Sequence, residues 1–130
     1  MDRKVKPVSD KPVAERLQVK GDRRVAVIGA SAVLDKKIGV QKARAELAKA
    51  DVILLFVLDR AHLDAALPGV LKRAPPSAIV WLAYPKLTSG LAKDLSRDVV
   101  HGLAPVYGLK TVSQIAIDKD WSALRLKRLR

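Results

Sequence analysis

Three runs of apolar residues, almost free of polar positions, divide the chain. They cover residues 25–28, 52–57 and 78–84. Apolar runs of this length are typical of strands that are buried on both faces of a parallel sheet. Gly29 ends the first run and Pro85 ends the third, as expected where a strand gives way to a loop. The pattern therefore predicts three parallel strands.

The segments beside these runs carry apolar residues at helical spacing instead. They cover residues 12–19, 41–49, 60–72 and 91–103. Asp59 is placed to cap the third of these predicted helices, and Thr88 or Ser89 is placed to cap the fourth. Pro68 is expected to kink or shorten the third helix. Residues 30–40 show neither period, and no element is predicted there.

Beyond Gly108, residues 111–117 and 122–127 predict the two strands of a hairpin. The whole order of elements predicts a small three-layer α/β sandwich, with three parallel strands and a C-terminal antiparallel hairpin. In sheets of this kind, ligands bind beyond the carboxyl ends of the parallel strands. We therefore look for a site at residues that directly follow a strand.

The length and composition indicate one globular domain. With 130 residues, of which 49% are hydrophobic, the chain can bury one modest core. We expect this domain to span residues 12–130, after a basic flexible tail at residues 1–11. The tail lacks the apolar core of a secretion signal, and residues 52–58 are far short of the roughly 20 that span a bilayer. With no cysteine, these features predict a cytoplasmic protein outside the membrane.

An excess of basic residues changes the expected partners. Lys and Arg number 25 against 13 Asp and Glu, which gives a net charge of +12. The resulting positive potential attracts polyanions and anionic small molecules, so nucleic acid or a nucleotide is the expected partner. The alternative is that the charge only keeps the protein soluble.

The loop after the third run carries the strongest local signal for a binding site. Lys86, Thr88, Ser89 and Gly90 stand at the expected start of a helix. There an ammonium group, hydroxyls and free backbone N–H groups would surround a phosphate, and Arg97 on the same predicted helix would add a second cation. The alternative is that a hydroxyl only caps the helix and the lysine is solvated. The loop lacks the full glycine-rich phosphate loop, so NTP hydrolysis is not predicted.

The predicted hairpin offers two more candidates. Trp121 is interpreted as an exposed platform on which a base stacks, and Arg125 as a cation that neutralises phosphate. The alternative for Trp121 is packing over the edge of the sheet, while Trp81 is assigned to the core. His62 and His101 are far apart in sequence and have no cysteine partner, so no metal site is predicted.

Two stretches resemble a known family. The first is a Pro-Lys pair followed by Asp-Leu-Ser-Arg-Asp, at residues 85–86 and 94–98, and the second is Asp118 with Trp-Ser-Ala-Leu-Arg at residues 121–125. From about residue 12 onward, the chain resembles a bacterial family of short proteins that is classed only as a domain of unknown function. More distantly, its order of elements is similar to the later half of the Rossmann-like fold of S-adenosylmethionine-dependent methyltransferases.

The second resemblance implies a cofactor site near the first two strands, with Gly29, Ser31 and Asp59 as its residues. Sites of this type use a glycine-rich turn after the first strand and an acidic residue on the following strand. Here the turn holds one glycine, and no strand that ends in Asp or Glu is visible between residues 33 and 51. The sequence leaves the identity of any cofactor unknown.

Three functions remain open at this point. The first is a non-catalytic binding or regulatory module that holds a phosphate-bearing ligand, nucleic acid or a nucleotide, in a basic crevice. The second is a shortened S-adenosylmethionine-dependent methyltransferase-like enzyme. The third is a structural or assembly protein whose sheet edge joins the subunits of a homodimer. The first requires that the cations and N–H groups gather around one opening.

Overall fold

The computed structural model describes residues 12–129, so the expected tail at residues 1–11 lies outside the described residues. The helices of this part are α1 (Val13–Arg16), α2 (Ala32–Ile38), α3 (Arg60–Arg73) and α4 (Arg97–Leu103). The strands are β1 (Val25–Ile28), β2 (Val52–Phe56), β3 (Ile79–Pro85), β4 (Leu109–Ala116) and β5 (Trp121–Arg128). Short 3₁₀ turns cover Gln41–Ala43, Leu47–Lys49 and Ala104–Tyr107.

The strands form one sheet in the order β1-β2-β3-β5-β4. β1, β2 and β3 run parallel to one another, whereas β5 runs antiparallel to both β3 and β4. This arrangement confirms the predicted parallel strands and the closing hairpin. Every residue of β2 is buried, as its unbroken apolar sequence requires of a strand that is covered on both faces.

Two apolar layers cover the faces of the sheet. On one face, α3 and α4 contribute Leu63 and Val100 to the core. On the other face, α2 contributes Leu34, and Trp81 lies in the same layer with its indole N–H donating to the Leu17 carbonyl at 3.0 Å. Each fully buried leucine contributes roughly 1.5–3 kcal/mol of transfer free energy. The predicted three-layer sandwich is therefore confirmed.

The helix predicted over residues 41–49 is wrong, whereas α2 forms where no element was predicted. Arg44 is extended and makes an isolated parallel bridge with Val25 on the free edge of β1. Its guanidinium donates to the Asp35 carboxylate at 2.7 Å and to the Gly39 carbonyl at 2.9 Å. The hydrogen bond from Arg44 also lowers the pKa of the Asp35 carboxyl. These contacts with α2 keep the chain from closing into one helix.

The fourth predicted helix is wrong at its start. Residues 86–96 form a loop, and α4 begins after Ser96, whose hydroxyl accepts a hydrogen bond from the Val99 N–H at 3.2 Å. Thr88 and Ser89 therefore cap no helix. The described chain has no helix start at these two residues that would offer its free N–H groups to an anion.

Long-range contacts of the loop explain this difference. The Asp94 carboxylate accepts a hydrogen bond from the Arg60 N–H at 2.8 Å, which ties the loop to the start of α3. Leu95 is fully buried, while Leu91 is 44% exposed. The leucines spaced four residues apart thus do not share one helical face, although their spacing imitates one.

α3 begins as predicted but is not shortened by its proline. The Asp59 carboxylate accepts a hydrogen bond from the His62 N–H at 2.9 Å, which is the expected cap. Pro68 lies inside the helix, and Leu67 and Val70 on either side of it are packed in the core.

No helix among residues 12–129 combines the length and the apolar character needed to cross a membrane.

Candidate functional site

The carboxyl ends of β1, β2 and β3 point to one edge of the sheet, and two cavities open there. The first, which we call the apolar cavity, has a volume of about 380 Å³ and lies beyond β1 and β2. Its walls include Gly29, Ser31, Leu34, Phe56, Leu91 and Asp120. The second, which we call the basic crevice, has a volume of about 480 Å³ and lies beyond β3. Its walls include Tyr84, Lys86, Thr88, Ser96, Arg97 and Ser122.

Gly29 brings the ends of β1 and β2 close together beside the apolar cavity. Its φ is 81°, a backbone conformation that L side chains rarely adopt. A Cβ at this position would lie 2.8 Å from the Phe56 carbonyl oxygen. Only glycine therefore fits here, and the turn after β1 presents backbone rather than a side chain to the cavity.

The hairpin loop between β4 and β5 places two carboxylates at the apolar cavity. One Asp118 oxygen accepts from the N–H groups of Asp120 at 2.8 Å and Trp121 at 2.9 Å, and the other lies 3.4 Å from Lys37 Nζ. The Asp120 side chain makes no hydrogen bond or ion pair with residues 12–129. Its carboxylate is therefore available to a ligand.

Two of the three predicted cofactor residues lie at this cavity. Gly29 and Ser31 line it, whereas Asp59 does not, and the Asp59 carboxylate caps α3 instead. The Ser31 hydroxyl caps α2 by accepting a hydrogen bond from the Leu34 N–H at 3.2 Å. The hydroxyl hydrogen of Ser31 remains free to bind a ligand.

The basic crevice brings together three of the predicted anion-binding residues, Lys86, Thr88 and Arg97. In the described part of the chain, neither Lys86 nor Arg97 has an ion-pair partner. A third cavity, of about 460 Å³, adjoins the basic crevice, and Arg97 and Gln114 line both of them. Asp98 lies in this adjoining cavity. Together the two cavities form a groove along the hairpin.

Tyr84 lies in the basic crevice and is not among the predicted site residues. Only 2% of its surface is exposed, and its hydroxyl has no hydrogen-bond partner within residues 12–129. Burial raises the pKa of Tyr84 to about 12, while the charge of Arg97 opposes this rise and that of Asp98 adds to it. The hydroxyl is therefore a protonated donor at neutral pH. The available signal was a polar aromatic residue at the end of a buried strand.

Other predicted anion-binding residues lie outside the crevice. Ser89 and Gly90 do not line it, and the Ser89 hydroxyl accepts a hydrogen bond from the Leu91 N–H at 3.0 Å within the loop. The predicted exposed platform at Trp121 is wrong, because this residue is 7% exposed. Its ring packs edge-on against Phe56, with the ring centroids 5.1 Å apart. Packing over the sheet, the alternative for Trp121, is what the structure contains.

Arg125 lies on the opposite face of the sheet from the basic crevice. Leu124 and Leu126 pack in the layer of α3 and α4, and successive residues of a strand point to opposite faces. Arg125 instead lines a separate groove beside Ile79, at the start of β3. The prediction that it shares one opening with Lys86 is therefore wrong.

One backbone hydrogen bond joins the walls of the apolar cavity and the basic crevice. The Lys86 N–H donates a hydrogen bond to the Asp120 carbonyl at 2.8 Å. Lys86 lines the basic crevice and Asp120 lines the apolar cavity. This bond therefore ties the loop after β3 to the loop of the hairpin.

Comparisons with known proteins bear on the fold. No family model matches the chain, and no curated protein matches it. The solved mitomycin 7-O-methyltransferase MmcR matches with a TM-score of 0.56 and 14% identity, over 88% of this chain and 52% of its own. The magnesium protoporphyrin IX methyltransferase ChlM from Synechocystis PCC 6803, solved with bound SAH, matches with a TM-score of 0.57 and 11% identity, over 89% of this chain and 80% of its own. The fibrillarin pre-rRNA processing protein of Methanococcus jannaschii matches with a TM-score of 0.53 and 15% identity, over 86% of this chain and 69% of its own.

These matches confirm the Rossmann-like, methyltransferase-like fold that the order of elements predicts. The chain spans about half of MmcR, 52% of its length. At 15% identity or less, the likeness concerns the fold alone. Membership of the bacterial family of unknown function stays a prediction, because no family model matches. The expected homodimer and the cytoplasmic location likewise stay predictions.

Proposed function

We propose that this chain is a shortened methyltransferase-like enzyme that binds S-adenosylmethionine in the apolar cavity. The observation that carries the proposal is the position of this cavity, directly beyond β1 and β2 and beside Gly29. Ligands of parallel α/β sheets bind at this edge, where a glycine after the first strand lets them approach the backbone. ChlM, which has a similar fold, was solved with bound SAH, the demethylated form of this cofactor.

The chemistry of the apolar cavity fits an adenosyl group that is attached to a positively charged sulfur. Val33, Leu58 and Leu91 line the cavity and offer exposed apolar surface to an adenine ring. The free Asp120 carboxylate can accept hydrogen bonds from ribose hydroxyls and can attract a cation. The unpaired Asp120 carboxylate repels phosphate groups, whereas Lys37 offsets the charge of Asp118. This cavity therefore favours S-adenosylmethionine over a nucleotide.

The acidic residue of this proposed site comes from an unusual part of the chain. Related sites take it from the strand that follows the glycine turn. Residues 30–51 are all described and contain no strand. Their only pairing with the sheet is the bridge between Arg44 and Val25. We assign the role to Asp120, which reaches the cavity from the hairpin loop.

When bound, S-adenosylmethionine supplies a methyl group on a positively charged sulfur. His62 lines the cavity, and its Nδ1 accepts a hydrogen bond from the Leu58 N–H at 3.2 Å. In the neutral ring the proton is then on Nε2, so this nitrogen donates rather than accepts. In this tautomer His62 can donate a hydrogen bond to the methyl acceptor from Nε2 and does not act as a general base.

Isothermal titration calorimetry with S-adenosylmethionine and its demethylated product tests this proposal. For the wild-type protein we expect saturable heat at micromolar concentrations. Asp120→Asn should weaken binding of S-adenosylmethionine about tenfold, because the shape of the side chain is kept and its charge is lost. Asp22→Asn, at an exposed turn away from the cavity, is the matched control and should bind as the wild type does.

Three results would count against this site. A wild-type protein that gives no heat with either compound would refute the proposal. Binding that Asp120→Asn leaves unchanged would place the ligand outside the apolar cavity. Equal weakening by Asp22→Asn would show a general effect of net charge instead of a local contact.

The basic crevice supports a second candidate function, a non-catalytic module that binds a phosphate-bearing ligand. Lys86 and Arg97 both line this crevice, and neither has an ion-pair partner within residues 12–129. Two unpaired cations on one concave surface attract phosphate groups, which nucleic acid or a nucleotide would supply. The fibrillarin of similar fold is a pre-rRNA processing protein, which favours nucleic acid as the source.

Titration of a labelled duplex and a labelled single strand at two salt concentrations tests this second candidate. Affinity should fall steeply with salt, with a log–log slope near 0.9 per duplex phosphate neutralised. The double change Lys86→Ala and Arg97→Ala should reduce the slope by roughly 2. The control pair Lys42→Ala and Lys72→Ala removes the same charge from exposed positions elsewhere and should have little effect. No binding at low salt would refute this candidate.

A further inference from the structure

One buried polar group of the basic crevice lacks a partner. Tyr84 lies near the end of β3, opposite Ser122 of β5, and is 2% exposed. Its hydroxyl makes no hydrogen bond with the part of the chain that the structure describes. About 90% or more of buried polar groups in folded proteins are paired, because an unpaired one loses its water contacts without replacement. An unpaired hydroxyl at the wall of a crevice points to a partner from outside the chain.

The groups around Tyr84 indicate what this partner is. Lys86 and Arg97 line the same crevice with unpaired positive charges, and Ser122 adds a hydroxyl. Asp98 acts on Tyr84 through its charge but lines the adjoining cavity, and no carboxylate is among the described walls of the crevice. Donors and positive charge therefore dominate. A phosphate group, with several acceptor oxygens and a negative charge, matches them.

We propose that the Tyr84 hydroxyl donates a hydrogen bond to a phosphate oxygen of a ligand in the basic crevice and so contributes to its specificity for phosphate groups. This inference rests on the second candidate function. Lys86 and Arg97 neutralise the phosphate charge, and Tyr84 orients the phosphate against the end of β3. Because the tyrosine ring is already packed in the core, it loses little freedom when the ligand binds.

The Tyr84→Phe variant separates this role from a structural one. Loss of an unpaired buried hydroxyl should leave the thermal midpoint of the free protein unchanged or raise it, because a desolvation cost disappears. The same change should weaken phosphate binding about tenfold. Tyr107→Phe is the matched control. The Tyr107 hydroxyl donates to the Asp64 carboxylate outside the crevice, so its loss should lower the midpoint and leave phosphate binding unchanged.

Calorimetric titrations with three probes identify the source of the phosphate. Inorganic phosphate reports on the crevice alone, AMP represents a mononucleotide, and a short single-stranded oligonucleotide represents nucleic acid. We expect Tyr84→Phe to weaken all three. The probe that binds most tightly to the wild type then names the class of ligand.

The possible results distinguish the inference from the function beneath it. If the wild type binds none of the three probes, the second candidate function fails and the inference fails with it. If the wild type binds and Tyr84→Phe binds equally well, the inference alone is overturned. A lower midpoint for Tyr84→Phe with unchanged affinity would likewise overturn it, because the hydroxyl would then be structural.

Discussion

The apolar cavity and the basic crevice share one edge of one sheet, yet their chemistry is opposite. The apolar cavity has the carboxylates of Asp118 and Asp120 among aliphatic and aromatic side chains. The basic crevice has Lys86 and Arg97, and no carboxylate among its described walls. The net charge of +12 describes the whole chain and does not reveal this division. Ligand chemistry therefore has to be inferred from local placement rather than from composition.

The division between the two cavities follows from the alternation of side chains along β5. Trp121 packs against Phe56 in the layer of α1 and α2, and it lines the apolar cavity. The next residue, Ser122, lines the basic crevice. Because successive side chains of a strand point to opposite faces, one strand end serves both cavities.

The largest expected effect is a loss of stability when a side chain is added at Gly29, beside the apolar cavity. The same change at Gly90, in the loop after β3, should have little effect. Gly29→Ala places a Cβ 2.8 Å from the Phe56 carbonyl, in a conformation that L residues rarely adopt. We expect it to lower the free energy of unfolding by about 2–4 kcal/mol, measured with a chemical denaturant. At Gly90 an added Cβ has no atom within 4 Å, so Gly90→Ala should change the free energy of unfolding by less than about 0.5 kcal/mol. A Gly29→Ala variant of wild-type stability would contradict the close approach of β1 and β2.

A smaller effect, at the start of α4, sharpens the comparison from the side of the basic crevice. Ser96→Ala removes the hydroxyl that accepts the Val99 N–H and should cost about 1 kcal/mol of unfolding free energy. Phosphate binding should also weaken, because Arg97 is the next residue, whereas titration with S-adenosylmethionine should not change. Ser89→Ala should cost less than about 0.5 kcal/mol, since Ser89 caps no helix. Equal losses would favour the predicted helix start at residues 88–89.

The strands were predictable because burial on both faces excludes polar residues from a run. β2 and β3 agree with the predicted runs at residues 52–57 and 78–84 to within one residue at each end. The cap at Asp59 was also predictable, since its carboxylate acts on the backbone three residues away. Local rules suffice where the partner is near in sequence.

The segment between β1 and β2 shows where local rules fail. Arg44 breaks the predicted helix by contacts with Asp35 in α2 and with Gly39 directly after it, nine and five residues away, and by its bridge to Val25. The spacing of apolar residues carries no information about hydrogen bonds of this kind between polar groups. Helical spacing therefore predicted one long element where two short turns exist.

The site was less predictable than the fold, for three distinct reasons. Tyr84 is notable for a partner that it lacks, which only the packed structure reveals. Asp120 comes to the apolar cavity through a hydrogen bond with a loop over thirty residues earlier. The side to which Arg125 points depends on the register of β5 against β3, and a shift by one residue would reverse it.

The hydrogen bond from the Lys86 N–H to the Asp120 carbonyl means that neither cavity can change shape at this contact without the other. If both proposed ligands bind and each of them shifts this pair, their affinities are thermodynamically linked. Linkage is reciprocal: the factor by which a phosphate alters the affinity for an adenosyl compound equals the factor by which that compound alters the affinity for phosphate.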